Sequence, residues 1–161
     1  MRDENRSRLK STRDQYGVAF HEAGHVVVAT ALGLAIGYVE LAIDGDDAKG
    51  AAEIEDNSKL SLVDQLAVCA AGPEAQRLFA APTHSGAGWA DYGMMIKLVE
   101  GLTDEHSRNM RYAGYQRAHD LLVQHADKVE RLAKHLLTKK HLMRGELHNV
   151  LGTDQRHRGR I

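Results

Sequence analysis

His21-Glu22-Ala23-Gly24-His25 places two imidazoles four residues apart, with a carboxylate directly after the first. On an α-helix this spacing puts both histidines on one face, one turn apart, so both rings can address a single ion. Glu22, rotated by about 100° around the helix, reaches water on an open coordination position rather than the ion itself. A zinc ion bound in this way lowers the pKa of its water towards about 7 and polarises a carbonyl, while the glutamate takes the proton as general base. The expected chemistry is peptide hydrolysis, with one zinc per chain and Glu22 as the catalytic residue. Two histidines on the apolar stripe Val18, His21, His25, Val28 are costly to bury without partners, and a metal satisfies both at once. A catalytic zinc usually takes a third protein ligand. Spacing alone leaves Asp91, His84, Glu74, His106 and His119 open. His125, His135, His141, His148 and His157 fall on polar helix faces or in the tail and read as solvated.

The elements that must position these groups follow from periodicity. Val18, His21, His25, Val28 and Leu32 recur at helical spacing, and Thr12 with Gln15 has the spacing of a capping box, so the pattern predicts a helix over 13–32 closed by Gly33. Gly24 inside it costs up to about 1 kcal/mol relative to Ala, which a close approach of substrate or neighbouring backbone would explain. Residues 38–43 and 50–54, separated by Asp44-Gly45-Asp46-Asp47, predict an irregular β-hairpin. A helix over 61–79 is expected to break at Gly72-Pro73, because proline removes an internal hydrogen bond. Residues 81–88 read as a loop, 90–102 as a helix with Asp91 in its first turn, 108–138 as one long helix and 144–151 as a short last one. The fold class is therefore mainly α (α+β), with a small antiparallel β element near the active site. The organisation expected is a charged N-terminal arm over 1–12, a single domain over 13–152 and a flexible basic tail over 153–161.

The chain of 161 residues is long enough to bury one core without disulfides. Lys and Arg number 21 against 22 Asp and Glu, so no global field favours nucleic acid or an anionic membrane. Cys69 cannot form an internal disulfide and sits in an apolar run, which favours a reducing compartment and a cytoplasmic location. The charged N-terminus lacks the apolar segment of a secretory signal, and the apolar stretch 26–37 is too short to span a bilayer.

Ala19-Phe20-His21-Glu22-Ala23-Gly24-His25-Val26-Val27-Val28-Ala29 resembles the peptidase domain of the FtsH-type membrane AAA metalloproteases, which carry H-E-A-G-H followed by small apolar residues. That family continues with G-R-x-A-E-E-L and T-G-A-x-x-D-L segments. Here Gly72-Pro73-Glu74-Ala75-Gln76-Arg77-Leu78 and Ser85-Gly86-Ala87-Gly88-Trp89-Ala90-Asp91-Tyr92 stand in those places. The likeness extends to the helical pattern from Tyr115 to Leu137 and covers roughly residues 15 to 151. It implies that Asp91 is the third zinc ligand. It also implies that the strand after the metal helix lines the cleft, with Tyr38, Val39 and Leu41 as substrate-binding candidates and either 38–43 or 50–54 as the edge onto which an extended substrate adds. His84 stays open as a substrate-binding residue that stabilises the oxyanion, an alternative ligand or a plain loop residue. Two departures stand out. The family's glutamate pair is replaced by Gln76-Arg77, with Glu74 the candidate to compensate beside the ligands, and no G-x-x-x-x-G-K-[ST] phosphate loop occurs.

The function expected is thus a zinc endopeptidase cutting unfolded or flexible polypeptides without an ATPase module of its own, or borrowing an ATPase partner in trans. The alternative is a catalytically silent relative that binds peptides or a partner through a structural metal site. Intact Glu22 speaks against it, because a structural site needs no base. A metal-dependent hydrolase acting on something other than peptide is a third reading. No nucleic-acid partner and no membrane segment are expected, and monomer and dimer are equally compatible with the sequence.

Overall fold

The computed structural model describes residues 2–45, 47–83 and 88–152. The chain folds as α1 (Arg2–Ala31), β1 (Ile36–Asp44), β2 (Asp47–Ile54), α2 (Leu62–Leu78), α3 (Trp89–Leu98), α4 (Asp104–Gln124), α5 (Ala126–Lys139), β3 (His141–Met143) and α6 (Arg144–Leu151). It is mainly helical with a small antiparallel sheet, as the sequence pattern implies. Among the described residues no helix is long and apolar enough to cross a membrane.

The second half of α1 is the centre of the molecule. Every residue from Gly17 to Ala29 is buried, including His21, Glu22 and His25. A helix buried all round must be packed on several sides. α2 and α5 pack against it, and the sheet covers a further side through β1 and β2. At the α1–α2 crossing a Cβ on Gly24 would lie 2.5 Å from the Ala75 Cβ and 2.6 Å from the Ala71 carbonyl oxygen. The close backbone approach expected at this glycine is therefore to α2.

α1 starts well before the expected residue 13. The hydroxyl read as a cap is absorbed inside the helix: Thr12 Oγ1 donates to the Arg8 carbonyl, and Gln15 Nε2 donates to Ser11 Oγ one turn back. Asp3 and Glu4 lie in the actual first turn, where carboxylates suit the helix dipole. Lys10 reaches across to Asp47 on β2.

α2 runs unbroken through Pro73. One lost hydrogen bond does not end a helix that is sandwiched between α1 and α4 and buried continuously from Leu66 to Gly72. Ser61 caps its start by accepting from the Asp64 amide. The break falls instead at His125 (φ −113°, ψ 26°), which divides the expected 108–138 helix into α4 and α5. A single rod over those residues would be about 46 Å long. Bending at His125 lets α4 cover α2 while α5 returns over α1.

The sheet order is β2-β1-β3. β1 pairs with β2 in the hairpin and with β3 through Tyr38↔Met143, Val39↔Leu142 and Glu40↔His141. β3 is too short to leave a period-two signal. Its Leu142 is nevertheless fully buried, and Tyr38 stacks on His141 with ring centroids 5.7 Å apart. Of the two edges the sequence left open, β1 is therefore the central strand, with Val39 and Leu41 buried in the core. Tyr38, Val39 and Leu41 lie on no free edge. Among the described residues β2 is an outer strand with an unpaired edge, as is the three-residue β3 on the other side of β1.

Candidate metal centre

His21 and His25 project from the middle of α1, and Asp91 is brought to them by the first turn of α3. Gly88, at the α3 N-cap with φ 79°, makes the turn that aims Asp91 inward, and a Cβ there would lie 3.2 Å from the Pro73 ring. His21 Nε2 stands 3.0 Å and His25 Nε2 3.3 Å from Asp91 Oδ2, with 3.1 Å between the two Nε2 atoms. These three residues form the one group among the described residues whose ligating atoms converge in this way, all within 4.8 Å of one another.

The opposite ring nitrogens fix the tautomers. His25 Nδ1 donates to the Val68 carbonyl at 2.8 Å. His21 Nδ1 donates to Gln76 Oε1 at 2.8 Å, and the orientation of that amide is settled by Gln76 Nε2 donating to the Pro82 carbonyl at 3.0 Å. When neutral, both imidazoles consequently turn Nε2 lone pairs towards the same point, an arrangement that could hold a cation between them.

The space at that point is kept open by a glycine of α2. A Cβ on Gly72 would sit 2.4 Å from His25 Nε2 and 2.5 Å from His21 Nε2, close to the ordinary zinc–nitrogen distance of about 2.0–2.1 Å. Two imidazoles, a carboxylate and this cradle fit a zinc ion, and the nitrogen and oxygen donors equally suit other first-row divalent metals.

Glu22 is buried beside the cluster. Burial raises its pKa above the ordinary 4.5, outweighing the opposing pull of His25 and His21, and the negative charge of Asp91 adds to the rise. Its carboxylate lies against the backbone of β2: a Cβ on Gly50 would come within 2.5 Å of Glu22 Oε1. At Asp91, burial acts upward, but the hydrogen bonds from His21 and His25 win and hold its carboxyl well below the usual range. At His25, burial acts downward and is overcome by the hydrogen bond and charge of Asp91, so its pKa is raised.

A cleft of about 860 Å³ opens over this cluster, lined by His21, Glu22, His25 and Asp91, by β2 from Asp47 to Ala52, and by Val68, Cys69, Ala90 and Met94. Burial, and then the nearby Asp91 charge, push the Cys69 thiol up to about 11, so it is an unreactive part of the wall.

Of the other histidines considered as ligands, His106 lies in the first turn of α4, where its amide donates to the Thr103 side chain, and His119 pairs with Glu74. Glu74 is buried but directed away from the zinc-type cluster, held by Arg77 and by His119 Nδ1 at 2.9 Å. The place beside His21 belongs to Gln76, one of the two residues that depart from the FtsH-type pattern. His84 and the tail 153–161 lie outside the described residues.

No family model matches the chain. Among curated proteins it is similar to the ATP-dependent zinc metalloprotease FtsH 3 of Symbiobacterium thermophilum, at 27% identity over 202 residues. The match takes in 92% of this chain and 31% of that protein. The relationship is distant, and the chain spans about a third of the length of the relative it matches.

Proposed function

We propose that this chain is a zinc-dependent endopeptidase domain acting on unfolded or flexible polypeptides. The observation that carries the reading is the convergence of His21, His25 and Asp91 on a space cleared by Gly72, with the Glu22 carboxylate alongside and an open strand edge bordering the same cleft. The distant likeness to a zinc metalloprotease supports it. His21, His25 and Asp91 would hold the metal. Zinc bound there would supply a water of lowered pKa and polarise the scissile carbonyl.

The chain's own residues account for the rest. Gln76 and the Val68 carbonyl orient the imidazoles through their Nδ1 hydrogens. Glu22, made more basic by burial, takes the proton of the attacking water and returns it to the leaving amine nitrogen. The free edge of β2 binds substrate backbone as an added strand, with Gly50 holding that edge against Glu22. Backbone pairing selects for extended conformation rather than sequence, so a folded substrate needs prior unfolding, by an ATPase acting in trans where one is available.

The test compares metal content and casein cleavage for the native chain and Glu22→Gln. One zinc in each, with cleavage falling at least a hundredfold in the variant, is the expected result. One zinc in each with no cleavage by either leaves the metal structural and overturns the peptidase reading. Absence of stoichiometric metal removes its foundation.

A further inference from the structure

The cleft contains a carboxylate that neither metal binding nor proton transfer uses. Asp14 is only 9% exposed, yet it lines the same cleft as Glu22 and His21. Among the described residues its side chain makes no hydrogen bond and no ion pair, which is unusual for a buried carboxylate because desolvation costs several kcal/mol per ion on the order of magnitude. Lys10, one turn upstream, is turned to Asp47 at 3.2 Å. Lys49, exposed on β2, borders the same cleft, but side chains alternate along a strand, and Ala48, which is buried, and Gly50, against Glu22, define the strand face towards α1. A buried acid turned into a cleft and left without a partner suits a cation supplied from outside.

Its position sets where that cation would come from. Asp14 precedes His21 by seven residues on one helix, about 10 Å along the axis. β2 runs beside this stretch of α1, with Gly50 against Glu22 and Asp47 tied to Lys10. An extended chain advances about 3.3 Å per residue. We propose that Asp14 selects a lysine or arginine side chain two to three residues from the scissile bond of an extended substrate paired with β2, an inference that rests on the peptidase reading above. The apolar wall formed by Ala48, Ala52 and Ile54 accommodates the aliphatic stem of such a side chain, leaving its charged head at the carboxylate.

The experiment uses unstructured fluorescent peptides that differ only in carrying Lys, Ala or Glu two and three residues to either side of the cleaved bond. Cleavage is followed with the zinc-loaded native chain, Asp14→Asn and Asp14→Lys. Binding is measured by anisotropy on Glu22→Gln with and without Asp14→Asn. The native chain should favour the Lys peptide over the Ala peptide about tenfold, mainly through KM, with the preference shrinking as salt rises. Asp14→Asn should erase the difference, and Asp14→Lys should shift preference to the Glu peptide. Thermal melts confirm that each variant is folded, and Asp14→Asn should melt no lower than the native chain, since it removes an unpaired buried charge. Equal treatment of the Lys and Ala peptides by the native chain, or a preference that survives Asp14→Asn, overturns the proposal. Charge-selective binding without cleavage would sink the peptidase reading while upholding Asp14 as the group that selects a basic side chain. Cleavage without charge selectivity would do the reverse, and failure to bind any of the peptides overturns both.

Discussion

A single methyl group at residue 72 would occupy the point on which both histidines converge, 2.4 and 2.5 Å from their Nε2 atoms. Gly72→Ala should therefore abolish stoichiometric zinc binding while leaving the fold intact, because alanine is the better helix former in the middle of α2. Metal analysis beside circular dichroism checks this, and a variant that still holds one zinc would show that the ion sits elsewhere. Gln76→Ala acts through His21: the imidazole loses the acceptor that fixes its tautomer, and a loss of about 10- to 100-fold in metal affinity is expected. At this scale the three residues that the structure brings together were legible as candidate ligands, and the groups that orient them were not. The H-E-x-x-H spacing names His21, Glu22 and His25 outright, and Asp91 came through family likeness. Gln76 was hidden because a glutamine in place of a glutamate reads as a loss. The structure shows that its amide oxygen can do the acceptor's part while its nitrogen anchors the Pro82 carbonyl.

The elements are placed by close helix crossings, and those crossings rest on glycines. Gly114 on α4 faces α2 so closely that a Cβ would lie 2.5 Å from the Leu66 Cβ, away from the metal cluster. Gly24 makes the equivalent approach of α1 to α2 within the ligand motif itself. Overpacking costs typically about 1–3 kcal/mol, so Gly114→Ala should lower stability in urea titrations by that order and leave zinc affinity unchanged. Gly24→Ala should lower both, because separating α1 from α2 moves His21 away from Gln76 and His25 from the Val68 carbonyl. Equal metal affinity in the two variants would mean that the α1–α2 distance does not govern the site. The same crossings explain where the sequence misleads about elements. Pro73 and His125 exchange roles, the proline riding inside a helix that its neighbours hold and the histidine marking the turn between two helices. Both outcomes depend on what packs against α2 and α1, which local periodicity does not carry. The hairpin was legible from alternation and its turn residues. That β1 would be the inner strand was not, since only the three-residue β3 makes it so.

On the scale of the whole molecule, the candidate metal cluster joins a firm part to a loosely attached one. α1, α2, α4, α5 and the sheet share one continuous core, whereas α3 contributes only Met95 as a buried residue and leaves Trp89, Tyr92, Met94 and Ile96 exposed. Asp91 is its polar tie to α1. In the metal-free chain that tie runs from Asp91 to both imidazoles, at 3.0 Å to His21 and 3.3 Å to His25, and its pH window follows from the shifts at His25 and Asp91. The raised pKa of His25 means its contribution is full below the ordinary 6.5 and is lost as pH rises through the folded value. The lowered pKa of Asp91 means its contribution is full above the ordinary 3.8 and is lost as pH falls through the folded value. Metal-free α3 should thus be held best between the ordinary values of the two groups, 3.8 and 6.5. On the proposed reading, zinc held there would reverse the upper limit, since it needs deprotonated imidazoles and binds more tightly as pH rises. Chelation should therefore loosen α3 strongly at pH 8 and little at pH 5.5. Hydrogen exchange, corrected for the intrinsic effect of pH, should show protection falling across residues 88–98 while 17–29 and 66–76 stay protected. Loss of protection through the central helices as well would mean that the metal supports the entire core. An equal effect of chelator at both pH values would show that the His25–Asp91 pair does not take the metal's place.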